Sequence, residues 1–173
     1  YYVDALHNNT FTSNDETFTN DANLVFADED IALICIATPD YLKEELIKLA
    51  LSSNKHVFVE KPLSNDPQNT QSLFNLAEKK NKILKVGYNL TFFPSLSEII
   101  KIASTNKLGA LKSFRLLYGH GGATNLQEME NWRLSKNSWG GVEVDLECHM
   151  LEFLFNLGIF NISSYSFNDR FYD

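Results

Sequence analysis

Asp145 and His149 stand four residues apart, and Glu152 and Asn156 continue the spacing at steps of three and four. At about 100° of rotation per residue, these four side chains form one narrow polar stripe along a helix. Leu146, Met150, Phe153 and Leu157 flank the stripe on one side, and Val144, Cys148, Leu151 and Phe155 flank it on the other. A carboxylate and an imidazole at this separation have Cβ atoms about 6 Å apart. The carboxylate favours the protonated ring and burial opposes it, so the histidine is poised for proton transfer near neutral pH. Spacing alone leaves two readings open: ordinary solvated surface, and the wall of a cleft with apolar shoulders on both sides. A second polar group ends the apolar run His56-Val57-Phe58-Val59, where Glu60-Lys61 is delivered just before Pro62.

The elements that must position these groups are legible as strand, helix, strand. Residues 31–37 form a nearly unbroken, β-branched apolar run, suited to a parallel strand covered on both faces. Thr38-Pro39 ends it. Residues 41–53 then place Leu42, Leu46, Leu49 and Ala50 on one side of a helix and Lys43, Glu44, Glu45 and Lys48 largely on the other. Residues 56–59 are the second strand. Ser64-Asn65-Asp66-Pro67 opens the next helix, buried through Leu73, Leu76 and Ala77 and ended by Lys79-Lys80-Asn81-Lys82; residues 83–86 are the third strand. Two such units in succession predict one parallel sheet, with ligands bound at the carboxyl ends of its strands. Before residue 31, a polar loop over 8–20 precedes a short helix starting near Asp21. Beyond residue 92 the pattern changes: a helix over 94–105, a strand over 111–118, a long glycine-containing loop over 119–131, a helix over 142–157 and a strand from 160 to 167 are expected.

Composition bounds the function. With 44% hydrophobic and 21% charged residues in 173, the chain has ample material for a core. A net charge of −7 and a pI near 5.1 argue against a nucleic-acid surface. Membrane spans are not expected, since no apolar run approaches about 20 residues, and no signal peptide is recognisable. Cys35 in the first strand and Cys148 in the last helix read as reduced core thiols, which points to a cytoplasmic location.

Four segments in order carry a resemblance: Ile34-Cys35-Ile36-Ala37-Thr38-Pro39, Lys55-His56-Val57-Phe58-Val59-Glu60-Lys61-Pro62, Val86-Gly87-Tyr88-Asn89, and Gly140-Gly141 followed by Asp145-Leu146-Glu147-Cys148-His149. Together they resemble the Gfo/Idh/MocA oxidoreductases, the glucose–fructose oxidoreductase and inositol dehydrogenase family, over roughly residues 24–158. The resemblance implies an α/β fold, with part of an NAD(P)-binding Rossmann domain over residues 1–90. Part of an open-sheet α/β substrate domain follows over 91–173, through which a homo-oligomer would form. It implies NAD or NADP as cofactor, held by Ala37, Thr38, Pro39, Glu60, Lys61 and Asn89. A sugar, polyol or related small molecule would be the substrate, bordered by Trp132 and Arg133. Lys61, Asp145 and His149 would be catalytic, the lysine hydrogen-bonding the reacting hydroxyl, the aspartate orienting the substrate, the histidine exchanging its proton. No metal is implied. Moving hydride from a carbinol carbon requires its oxygen to lose a proton, and a positioned base contributes about 10²–10⁴-fold. A nearby cation stabilises the alkoxide that develops.

The sequence also departs from that family. Its Gly-x-Gly-x-x-Gly turn, whose backbone donors cradle the pyrophosphate, is absent, so an internal piece of a longer enzyme is expected. Lys43 stands where the family often has histidine, Thr91 where it often has arginine and Glu147 where it often has glycine. The alternative function is a non-catalytic binding or scaffold relative that kept the fold and lost the cofactor.

Overall fold

In the computed structural model, which describes residues 2–3, 18–19, 21–117, 147–161 and 163–164, a short parallel pair, β1 (Tyr2–Val3) and β2 (Phe18–Thr19), comes first. Asp21 then caps helix α1 (Ala22–Ala27), its Oδ1 accepting from the Asn23 backbone N–H at 2.9 Å. That satisfies a donor the first turn leaves open and explains where the helix starts.

The central sheet is β3 (Leu33–Ile36), β4 (His56–Glu60) and β5 (Leu84–Gly87), parallel and side by side in that order. Ile36 pairs with Val59, Val59 with Val86, and Glu60 with Gly87, so the three strands finish level with one another. Helix α2 (Asp40–Ser52) links the first two strands and α3 (Pro67–Lys79) links the next two. Asp66 caps α3 by accepting from the Gln68 N–H at 2.8 Å, with Pro67 in the first turn, where its missing N–H costs nothing. Both helices end alike. Asn54 and Asn81 adopt left-handed φ values of 64° and 54°, while Lys55 N–H returns to Ala50 O and Lys82 N–H to Ala77 O at 3.0 and 2.9 Å. Asparagine tolerates that conformation, and the doubled-back bonds satisfy the last carbonyls before each strand begins.

The core lies between the sheet and these two helices: Ile36, Val57, Val59 and Leu84 from the strands, Ile47, Ala50 and Leu51 from α2, Leu73 and Ala77 from α3, and Leu63 from the loop after β4. Phe26, Ile34, Leu46, Leu76 and Val86 pack around its margin.

Two expectations are corrected here. Among the described residues the sheet is covered on one face only. Val57 and Val59 are buried, yet Leu33 and Phe58 on the opposite face are exposed by 52% and 38%, and Cys35 beside them is an exposed thiol rather than a core one. Burial thus alternates along β4 with the period of two that one-sided packing produces. Secondly, Lys43 is on the core side of α2, together with Asp40, Ile47, Ala50 and Leu51, whereas Leu49 is 42% exposed. Steps of 3, 4, 3 and 1 define that face, and the lysine falls inside it.

After β5, a 3₁₀ turn (Asn89–Phe92) leads into α4 (Pro94–Ser104), where the apolar spacing predicts a helix. Residues 111–117 are irregular rather than the expected strand, with Leu117 90% exposed. No strand stands beside them among the described residues, and a strand needs a ladder for its backbone groups. The described part of the last expected helix is α5 (Cys148–Asn156), closed by Gly158 at φ 83°. Residues 160, 161, 163 and 164 are irregular where a strand is expected. No helix among the described residues is long and apolar enough to cross a membrane.

Candidate active site

Because β3, β4 and β5 end in register, three short segments share one edge of the sheet: Ala37-Thr38-Pro39, Glu60-Lys61-Pro62 and Tyr88-Asn89. Gly87 closes β5 beside Glu60. A Cβ there would lie 3.2 Å from Phe58 Cζ and 3.4 Å from the Val59 carbonyl, so a larger residue would press on the partly exposed Phe58 ring.

Each segment presents different chemistry. Thr38 is half-buried, and its Oγ1 is sealed from solvent with no hydrogen-bond partner among the described residues. A buried hydroxyl left so is costly unless something completes it. Glu60 and Lys61 are half-buried, and Ala37 and Asn89 are exposed. The Lys61–Pro62 peptide bond is cis.

Beneath Lys61 lies a group that the sequence pattern assigned to the solvent side. Lys43 is 1% exposed, and its Nζ donates to the Lys61 carbonyl at 2.8 Å and to the Pro62 carbonyl at 3.2 Å. It also forms an ion pair with Asp40 Oδ1 at 2.6 Å. Two N–H donors thus meet two successive backbone carbonyls, and the Asp40 carboxylate balances the charge as an ion pair. Burial pulls the Lys43 pKa below the ordinary lysine value, and the close Asp40 carboxylate opposes that pull. The signal for this pair was present in the sequence as Asp40 and Lys43 at i and i+3, directly after the strand end.

From the other half of the chain, α5 packs against the 3₁₀ turn that follows β5. This brings His149, 7% exposed, to Tyr88: their rings meet edge to face, centroids 6.2 Å apart and planes at 85°. The Tyr88 phenol is pushed up to about 12, first by burial and then by charge interactions with Cys148 and Glu152 on α5. It therefore stays a neutral hydrogen-bonding group at any physiological pH. Tyr88 has no assigned role in the sequence reading; its place right after a strand ending at the ligand edge was the available cue. Of the other expected site residues, Asp145, Trp132 and Arg133 lie outside the described residues. Among the described residues no cluster of side chains has the make-up of a metal site.

The arrangement defines a class first: a parallel α/β sheet whose carboxyl edge gathers ionisable and hydroxyl side chains from several strands, as in dinucleotide-binding folds. The model of the Gfo/Idh/MocA oxidoreductase family, described as having an NAD-binding Rossmann fold, matches residues 5–88, and relatives named as oxidoreductases support the same family. It is 27% identical over 138 residues to levoglucosan dehydrogenase from Pseudarthrobacter phenanthrenivorans, a match covering 79% of this chain and 35% of that protein. Similarity to D-xylose dehydrogenase from Paenarthrobacter nicotinovorans is 22% identity over 135 residues, covering 76% of this chain and 35% of the relative. Among solved structures, levoglucosan dehydrogenase in complex with NADH and levoglucosan superposes with a TM-score of 0.75 at 26% identity, over 81% of this chain and 38% of that one. The chain thus spans little more than a third of the length of the relatives it matches.

Proposed function

We propose that the native protein is an NAD(P)-dependent oxidoreductase that moves a hydride between a nicotinamide cofactor and a hydroxyl-bearing carbon of a sugar or polyol. The observation that carries this reading is the meeting of two halves of the chain on one edge. Lys61 follows Glu60, which pairs with Gly87, and His149 packs against Tyr88, which follows Gly87. The residues present suit a dinucleotide at the strand ends. The sealed Thr38 hydroxyl needs a polar partner, and Glu60 offers an acceptor for ribose hydroxyls. Ala37, Pro39, Lys61 and Asn89 complete that edge. When bound, the nicotinamide supplies the hydride acceptor or donor.

The chain's own residues do the rest. In oxidation, the Lys61 ammonium donates to the reacting oxygen and stabilises the negative charge that grows there. His149 takes the hydroxyl proton, and in reduction it returns one. Asp145, one helical turn before His149 in sequence, orients the substrate, while Trp132 and Arg133 border it. The relatives' names support a carbohydrate substrate, and the same division of labour supports a cofactor-binding part over residues 1–90 and a substrate part over 91–173, the latter also forming any homo-oligomer.

His149→Ala in the native protein tests the reading. Turnover on a sugar and polyol panel, run with NAD and with NADP, is expected to fall by about 10²-fold or more. Cofactor affinity, read by fluorescence of the reduced dinucleotide, is expected to stay within about twofold, since the proposed role sets the base against the substrate hydroxyl. Equal losses in both would remove His149 from proton transfer. Tight dinucleotide binding with no turnover on any panel member, in the unaltered protein, would point instead to a binding relative.

A further inference from the structure

The loop after β4 is gripped by α2 at two neighbouring positions. Lys43 holds the carbonyls of Lys61 and Pro62, while Glu44 accepts from the Ser64 hydroxyl and, at 3.3 Å, from the Asn69 side-chain amide. Between these grips Leu63, 5% exposed, is sunk in the core. On the other side of Lys61, Glu60 is fixed in the sheet by its pairing with Gly87. The main chain of Lys61 is therefore tied from both directions.

We propose that Lys43 is the positioning residue for Lys61: its buried ammonium, anchored by Asp40, sets the direction in which the Lys61 side chain leaves the strand. This rests on the catalytic role proposed for Lys61. A plain loop would need no buried cation beneath it. Desolvating an ammonium is costly, and an apolar residue of similar volume would fill the same space without that cost. What the ammonium adds is two hydrogen bonds to two successive carbonyls, and so a fixed orientation. Misplacing a reacting group by about 1 Å lowers turnover by about 10²-fold, the scale on which such a fixture acts.

Truncating Lys43 alone would strand the buried Asp40 carboxylate, so the informative variant removes both members, Lys43→Met with Asp40→Leu, which leaves no uncompensated charge. In the native protein this double variant is expected to keep its circular dichroism spectrum and to lose about 10- to 100-fold in turnover. Dinucleotide affinity should stay within about twofold. Without any cofactor, amide exchange at residues 63–66 should rise while exchange at 57–59 stays slow. The same pair of changes made on top of Lys61→Ala is expected to cause little further loss, whereas a merely structural role would lower turnover equally in both backgrounds. Should the double variant not fold, Lys43→Gln with Asp40→Asn, which keeps a neutral donor and strands no charge, is expected to give an intermediate loss with the same dependence on Lys61. A folded variant with native turnover overturns the positioning role, as does a loss undiminished in the Lys61→Ala background. Native turnover in Lys61→Ala itself would instead overturn the reading of the site.

Discussion

Tyr88 shows how one residue can report on the junction between the two halves of the chain. Its phenol is raised to about 12 from an ordinary 10.0, chiefly by burial, with Cys148 and Glu152 adding to the shift. A folded-state pKa above the unfolded one means that, between these values, the folded protein holds a proton that the unfolded chain has lost. The stabilisation linked to the neutral phenol is complete below about pH 10 and is lost as pH rises toward 12. The urea midpoint of the wild-type protein is accordingly expected to fall between about pH 9.5 and 11.5 more steeply than that of Tyr88→Phe, which has no proton to lose. Parallel declines would mean that the phenol is not buried in the folded protein. Reactivity at this scale was only partly legible in the sequence. Lys61 and His149 stand out because a charged residue ends an apolar run and a histidine follows a carboxylate at helical spacing. Lys43 did not, because a lysine is ordinarily assigned to water, and only the backbone carbonyls it reaches, far along the chain, reverse that assignment.

Among the elements, those of the two strand–helix–strand units were legible because local signals agree with the global packing. Apolar runs mark the strands, Asp21 and Asp66 cap helices where expected, and Asn81 ends α3. Legibility failed where the neighbours decide. Whether β3 is covered on one face or two, and whether 111–117 joins a ladder, depends on segments that the residues themselves do not encode. The face of α2 is a related case, since Leu49 and Lys43 exchange the environments that hydrophobicity alone assigns them. Ile47 is the centre of that face, with no exposed surface and strand and α3 residues in the same core. Ile47→Ala is expected to lower the unfolding free energy by about 2–5 kcal/mol. Leu49→Ala, at an exposed position on the same helix, should change stability far less. Comparable losses at both positions, measured by denaturant unfolding, would place the core face of α2 elsewhere.

On the scale of the whole molecule, the proposed chemistry needs groups that reach the sheet edge by different routes. Lys61 arrives directly after β4, while His149 arrives on α5 after a long intervening stretch of chain and is seated by its contact with Tyr88. On the proposed mechanism, the two act on one oxygen in one transition state, the ammonium lowering the charge that builds as the imidazole accepts the proton. Groups that act as a unit lose their benefit together, because either one alone leaves the step incomplete. Lys61→Ala and His149→Ala are each expected to reduce kcat by about 10²-fold or more, and the double variant little beyond the worse single one. Independent contributions would multiply instead, as they do for sites without shared partners. A double variant whose loss equals the product of the two single losses would mean that the lysine and the histidine serve separate steps, and the single-oxygen mechanism would have to be abandoned.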